Sequence, residues 1–312
     1  MSHRLRSLAF LALLSLAATA CGRAEPEIRL RFDTARQLTY DTTDVDDAPD
    51  VELGIGGTLR AQSRIRLSVL APAEAGDPGK NVDPNIEATV ESLSIDAPPQ
   101  SGIAVDTASK RPVAGDKAGA NAVSLSMLSR RSMLAVLPDA TVRFQPDSEL
   151  AMHIATWAAT KPMAAQGPIQ RIAERLDPGL AAERLFGPIA VLLPKDPHVA
   201  AGATWTVDPP PIGTAAGTLR TTLTVTCRRD GNEAILEAHG VFRADPVGAV
   251  AGAAAPTSAT LVQGDVRIDV QIDCATGTLI AFTQKSSIVV ADRRTPPTQA
   301  SWKLDRKVLL VR

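Results

Sequence analysis

Residues 166–207 read QGPIQRIAERLDPGLAAERLFGPIAVLLPKDPHVAAGATWTV, the one strong helical signal between two long tracts that alternate like strands, and its folding decides the architecture. Ile169, Ile172 and Leu176 fall at i, i+3 and i+7, with Gln170, Arg171, Glu174 and Arg175 on the other faces and Pro168 suited to a first helical position. Asp177 then caps a second short helix that has Pro178 at its first position, carries Leu180, Ala181 and Leu185 along one side, and ends at Gly187. Ile189 to Leu193, closed by Pro194, reads as an apolar turn or 3₁₀ segment. Residues 166–194 are therefore expected to be a helical plug. Ile169, Ile172, Leu176, Leu185, Phe186 and Ile189 are the side chains it offers, either to a packed core or to an apolar ligand.

On the N-terminal side, residues 28–165 read as a β tract. Ile28, Leu30 and Phe32 alternate with Arg29 and Arg31 as a first strand, and Leu38 with Tyr40 begins a second. Between residues 51 and 69, Ile55, Leu59, Ala61, Ile65, Leu67 and Val69 share one parity and arginines hold the other, the pattern of a strand with one wet face. Gly54, Gly56 and Gly57 are where so long a strand should bend. Ile86, Ala88 and Val90 alternate, then Leu93 and Ile95 continue on the opposite parity, which predicts a bulge near Glu91 or Ser92. Further strands are expected at Val123–Leu128, Leu134–Leu137 and Ala140–Phe144, with Leu150–Ile154 favoured as the return of a hairpin turning at Pro146 and Asp147, although ELAMHIATWAAT over 149–160 would also serve as a helix. The acidic run Asp41, Asp44, Asp46, Asp47 and Asp50 lacks the spacing and distal Glu of a calcium loop and reads as a solvated loop.

Residues 195–312 form a second β tract, with strands at 218–227, 233–243, 259–273, 278–291 and 301–311. Arg229-Asp230-Gly231-Asn232 and Ala275-Thr276-Gly277 are hairpin turns, and Gly248–Pro256 is a low-complexity loop. Trp205 and Trp302 read as core anchors. The whole is predicted to be α+β, predominantly antiparallel: a long curved sheet or half-barrel around a central plug, as one composite domain or two joined halves.

Residues 1–20 carry His3, Arg4 and Arg6 ahead of the short apolar core LAFLALLSL and the small run Ala17, Ala18, Thr19, Ala20, the plan of an export signal. Cys21 follows. Small residues before a cysteine resemble the bacterial lipoprotein signal, which implies acylation of Cys21, a tether over 21–27 and a place in the cell envelope. Gly22 in place of an aspartate leans to the periplasmic face of the outer membrane. Ala18 stands where that signal usually has leucine, and Ala18-Thr19-Ala20 also suits ordinary cleavage to a soluble secreted form. With Cys21 acylated, the chain's three cysteines leave the pair Cys227 and Cys274, each on the apolar parity at the end of its strand, so they form either a disulfide or two buried thiols.

A formal net charge of −1 with 3% aromatic residues supplies neither a phosphate-attracting field nor a base-stacking surface, so nucleic acid is not an expected partner. No G-x-S-x-G, S-x-x-K, H-E-x-x-H or C-x-x-C occurs, and His153, His198 and His239 stand apart, so no catalytic residue, metal site or cofactor is expected.

The segment around Leu193, Pro194, Pro197, Val199, Gly202 and Trp205 resembles the middle of a family of uncharacterised bacterial envelope proteins that combines a helix, an L-P-x-x-P-like turn, a valine and G-x-x-W. That resemblance implies architecture rather than chemistry. Long curved strands around a helical plug are similar to the periplasmic lipoprotein-carrier half-barrel, which shelters acyl chains. Two readings follow: an envelope lipoprotein that binds an apolar ligand or lipid on a concave sheet, or a structural lipoprotein with a filled core that meets another envelope protein.

Overall fold

The fold was taken from a computed structural model. It describes residues 25–311 except 33–35, 49–56, 71–85, 98–103, 110–112, 117–118, 129, 145–151, 153–154, 157–158, 161–174, 215–216, 246–258 and 293–298. Residues 1–20, Cys21, Gly54, Gly56, Asp50, Ile169, Ile172, the Pro146–Asp147 turn, the Gly248–Pro256 loop and the side chains of Gly57 and Trp302 lie outside the described residues.

Strands β1 (Gln37–Ala48), β2 (Gly57–Val69), β3 (Ile86–Asp96) and β4 (Ala104–Asp106) precede helix α1 (Ala120–Met127), and β5 (Arg131–Val136) and β6 (Val142–Phe144) complete the first half. Helix α2 (Pro178–Leu192) separates it from β7 (Thr204–Val207), β8 (Ile212–Thr214), β9 (Gly217–Asp230), β10 (Glu233–Asp245), β11 (Ala259–Asp273), β12 (Thr278–Asp292) and β13 (Gln299–Val311). Both halves belong to one 13-stranded sheet in the order β6-β5-β3-β2-β1-β13-β12-β11-β10-β9-β7, with β4 beside β3 and β8 beside β9. The described pairings are antiparallel, and β1 against β13 is the seam that joins the halves, Tyr40 facing Leu310 and Asp44 facing Arg306.

The sheet is open but strongly curled. Eleven strands laid flat span roughly 48 Å at about 4.8 Å per strand, whereas a helix the length of α2 is only about 22 Å long. Yet α2 touches both edges: the Phe144 ring of β6 lies over Gly179 at its start, and Trp205 Nε1 of β7 donates to the Leu192 carbonyl at its end, 3.2 Å away. The sheet must therefore wrap the helix. Its inner face supplies Tyr40, Ile65, Leu67, Val90, Val225, Leu236, Val270 and Phe282 to one continuous core with Leu185, Phe186, Ile189 and Leu192 of α2.

Several local expectations are met for the reasons that motivated them. Asp177 Oδ1 accepts from the N–H groups of Gly179 and Leu180, with Pro178 at the first position. The predicted bulge falls on Glu91: Arg64 faces Ser92 and Ile65 faces Val90, so one residue is skipped and the inward parity changes. Gly231 and Gly277 take the positive φ that their hairpins require, at 58° and 65°.

Other expectations are corrected. Ile28–Phe32 is not a strand: the N–H of Ile28 goes to Pro197 O, that of Leu30 to Pro138 O and that of Arg31 to Gly277 O. These acceptors belong to three different turns, so the segment straps one end of the cup, with Ile28 and Leu30 buried. Asp41, Asp44, Asp46 and Asp47 of the acidic run lie in strand β1, Asp44 turned inward and Asp47 outward, rather than in a solvated loop. Val123–Leu128 falls in α1 rather than in a strand, because the Asp116 carboxylate accepts from the N–H of Ala120 and Asn121 and starts a helix whose buried line is Ala120 and Ser124. Around Leu150–Ile154 the described residues are helical, Thr156 Oγ1 bonding the Met152 carbonyl one turn back at 2.8 Å. Helix α2 does not end at Gly187. It continues through Pro188 to Leu192, so Ile189–Leu192 is its last turn, because Phe186, Ile189 and Leu192 must all reach the core.

Cys227 and Cys274 are buried but free, and the expected bridge is not formed. Strand β10 lies between their strands. Two strand spacings, about 9.6 Å, exceed the Cα separation of roughly 4.4–6.8 Å that a disulfide spans.

Candidate functional site

The concave face and its plug are the first candidate. Of the six plug side chains proposed from sequence, Leu185, Phe186 and Ile189 are brought together in the main core at 2%, 0% and 0% exposure. Phe186 sits edge-on to Phe32 and Tyr40, at centroid distances of 5.7 and 6.1 Å. Leu176 is equally buried but joins a second, smaller cluster with Ala61, Leu93, Ile95, Val105 and Ala120. An apolar inner face is thus present, and the chain's own helix packs against it.

A polar centre lies beside that helix, and the sequence reading missed it. Asp44 Oδ2 accepts from Arg175 Nη1 at 2.6 Å and Asp44 Oδ1 from Arg306 Nε at 2.9 Å, with the Asp44 side chain only 7% exposed. Burial alone would raise the Asp44 carboxyl, but the charges of Arg306 and Arg175 and their hydrogen bonds hold it below the usual carboxylate value. Each partner comes from a different element: Asp44 from central strand β1, Arg306 from its neighbour β13, and Arg175 from the helical residues just before the Asp177 cap of α2. The signal was present in the parity. Asp44 continues Leu38, Tyr40 and Thr42, and Arg306 stands between Leu304 and Val308, so both point inward. A recess of about 30 Å³ opens here, with Thr42, Ser63 and Arg184 on its polar side and Ile65, Leu185 and Val308 on its apolar side.

On the opposite face of β1–β4 a shallower depression of about 520 Å³ is lined by polar side chains, including Asp41, Gln62, Arg64, Ser94 and Asp106. Arg64 grips Asp41 there through Nε and Nη2 at 2.7 and 2.9 Å.

The described histidines serve structure or face water. His198 Nδ1 lies 3.1 Å from the Glu25 carbonyl and its Nε2 3.4 Å from Glu27, tying down the N-terminal strap, while His239 is exposed on β10. The Glu27 carboxyl is lowered, mainly by its hydrogen bond from Arg31. His153 lies outside the described residues. Among the described residues no three His, Cys, Asp or Glu side chains gather as metal ligands, and no helix is long and apolar enough to cross a membrane. Arg229 lies beneath the strap. Its Nη1 donates to Cys274 Sγ at 3.0 Å and its Nη2 to the carbonyls of Pro26 and Val199, while burial pushes both thiols up.

No family model matches the chain, and no curated protein matches it. Among solved structures, lipovitellin, described for its lipid–protein interactions, aligns with 90% of this chain at a TM-score of 0.41 and 8% identity. This chain spans only 26% of the lipovitellin chain. DynF from the dynemicin pathway of Micromonospora chersina aligns with 92% of this chain and 89% of its own, at a TM-score of 0.15 and 8% identity. Likenesses of this size assign no family, and the site must be read from its own residues.

Proposed function

We propose that this protein is an exported, lipid-anchored envelope protein that holds an apolar ligand, an acyl chain or lipid, on the concave face of its sheet, with α2 as the displaceable occupant of that face. The observation that supports it is that one helix, reaching from edge to edge, covers a largely apolar inner surface. Pro188 inside α2 removes an i→i−4 hydrogen bond next to Gly187, which weakens the helix at its middle. A ligand that takes over the contacts of Phe186 and Ile189 replaces one apolar partner with another, so the exchange costs less than opening the face to water. Acylation of Cys21 would place the cup at a membrane surface, where such ligands are. Titration with the fluorescent fatty acid cis-parinarate tests the binding: saturable uptake is expected, and F186A, with its plug truncated, should bind more tightly than wild type.

A second reading has its own support. Leu185, Phe186, Ile189 and Leu192 leave the described core closed, as in a structural protein that meets a partner through its edges or loops. No saturable probe uptake by either wild type or F186A would give that reading the field. Envelope attachment is checked separately: C21S should leave the membrane fraction and lose incorporation of labelled palmitate.

A further inference from the structure

We infer that the recess between α2, β1, β2 and β13 is a head-group site for a carboxylate, so that the ligand of the cup is a long-chain fatty acid rather than a neutral lipid. The inference rests on the apolar-cup reading above and sharpens it.

The first support is charge. Two guanidiniums, Arg175 and Arg306, converge on the single carboxylate of Asp44, which leaves the triad itself with a surplus positive charge. A structural ion pair needs one cation for one anion, and burying a second arginine side chain to about 17% exposure beside it carries a desolvation cost that an incoming anion would offset. Each of these guanidiniums carries five N–H donors and gives one hydrogen bond to Asp44, so among the described residues each holds more donors than Asp44 takes up.

The second support is composition. The hydroxyls of Thr42 and Ser63 are hydrogen-bonded to each other at 2.6 Å on the polar side, which gives the recess a polar wall, while Ile65, Leu185 and Val308 lead from the same recess toward the plug. Polar and apolar walls therefore meet at one point, as an amphiphile requires: head between the arginines, chain along the track that α2 now fills. The third support is size. At about 30 Å³ the recess admits two or three waters, at ~10–15 Å³ each, the scale of a small polar head group.

The test is a set of binding measurements on the full chain at neutral pH, comparing oleate, oleyl alcohol, lysophosphatidic acid and inorganic phosphate for wild type, R306Q and D44N, with circular dichroism to confirm folding. Oleate should bind wild type at least tenfold more tightly than oleyl alcohol, and R306Q should erase most of that preference. Should R306Q fail to fold, D44N decides, because removing the internal competitor should tighten oleate binding several-fold while leaving oleyl alcohol unchanged, a gain no structural role predicts. Equal binding of oleate and oleyl alcohol overturns the head-group site and leaves the apolar cup standing. Binding of inorganic phosphate or lysophosphatidic acid in preference to oleate overturns the carboxylate assignment. No binding of either C18 compound to any variant overturns the cup and this site together.

Discussion

Asp44 shows how strongly position outweighs residue type. In the sequence it is one of five aspartates within ten residues, and the strand places it on the inner face while Asp41 and Asp47 point outward. Its carboxyl is held below the ordinary value, so its contribution to stability is present above pH ~3.9 and is lost as pH falls through the lower, folded value. D44N should cost about 1–3 kcal/mol at neutral pH by leaving two arginines without their shared anion. The gap in melting temperature between wild type and D44N should then narrow when both are melted near pH 2–3. An equal gap at both pH values would remove the triad from the stability of the fold. Tyr40, the chain's single tyrosine, poses the opposite case: its hydroxyl is buried with no hydrogen-bond partner among the described residues, and burial pushes its pKa up. Y40F should therefore leave stability unchanged or raise it by up to about 1 kcal/mol. Alkaline titration followed at the tyrosinate absorbance should show no ionisation until the protein unfolds.

At the level of elements, α2 shows what was readable and what was not. Its start was legible because the Asp177 cap and Pro178 are local devices that work with four residues. Its end was not: Gly187-Pro188 is a good local stop, overridden by the core that Phe186, Ile189 and Leu192 enter together. The same override turned Val123–Leu128, which alternates well enough for a strand, into α1 once Asp116 capped it from upstream. Long hairpins with a glycine turn were readable over most of their length, as β9 and β10 show, because parity and turn chemistry agree there and their register runs without a shift. The strap 25–32 has strand-like alternation too, but its partners are turns far along the chain, which periodicity does not encode. Gly179 tests how α2 is seated. A Cβ there would stand 2.3 Å from Phe144 Cδ2, so G179A should cost about 1–3 kcal/mol despite the better helix propensity of alanine. Pairing it with F144A, which removes the ring, should recover part of the loss in a double-mutant cycle.

Across the whole molecule, the chain's middle connects the two ends of its own sheet. The path leaves edge strand β6, passes through the cup as α2 and emerges at edge strand β7, while the first and last strands meet at the centre. That arrangement explains why two tracts that look independent in sequence form one sheet: the seam between β1 and β13 closes only after nearly the whole chain is in place. Parity alone could not reveal it, since inward apolar residues suit one sheet or two, and the polar triad, assembled from residues 44, 175 and 306, is legible only once the seam is known. The packing of Leu185, Phe186 and Ile189 into the core was legible as a set of apolar side chains on one side of the helix. The most direct test of the cup as a binding site is native mass spectrometry of the full-length protein purified from its own envelope, before and after organic extraction. A stoichiometric excess mass that extraction removes, with the mass of a fatty acid, is the predicted result. A bare polypeptide, carrying nothing beyond any covalent acylation at Cys21, would contradict it.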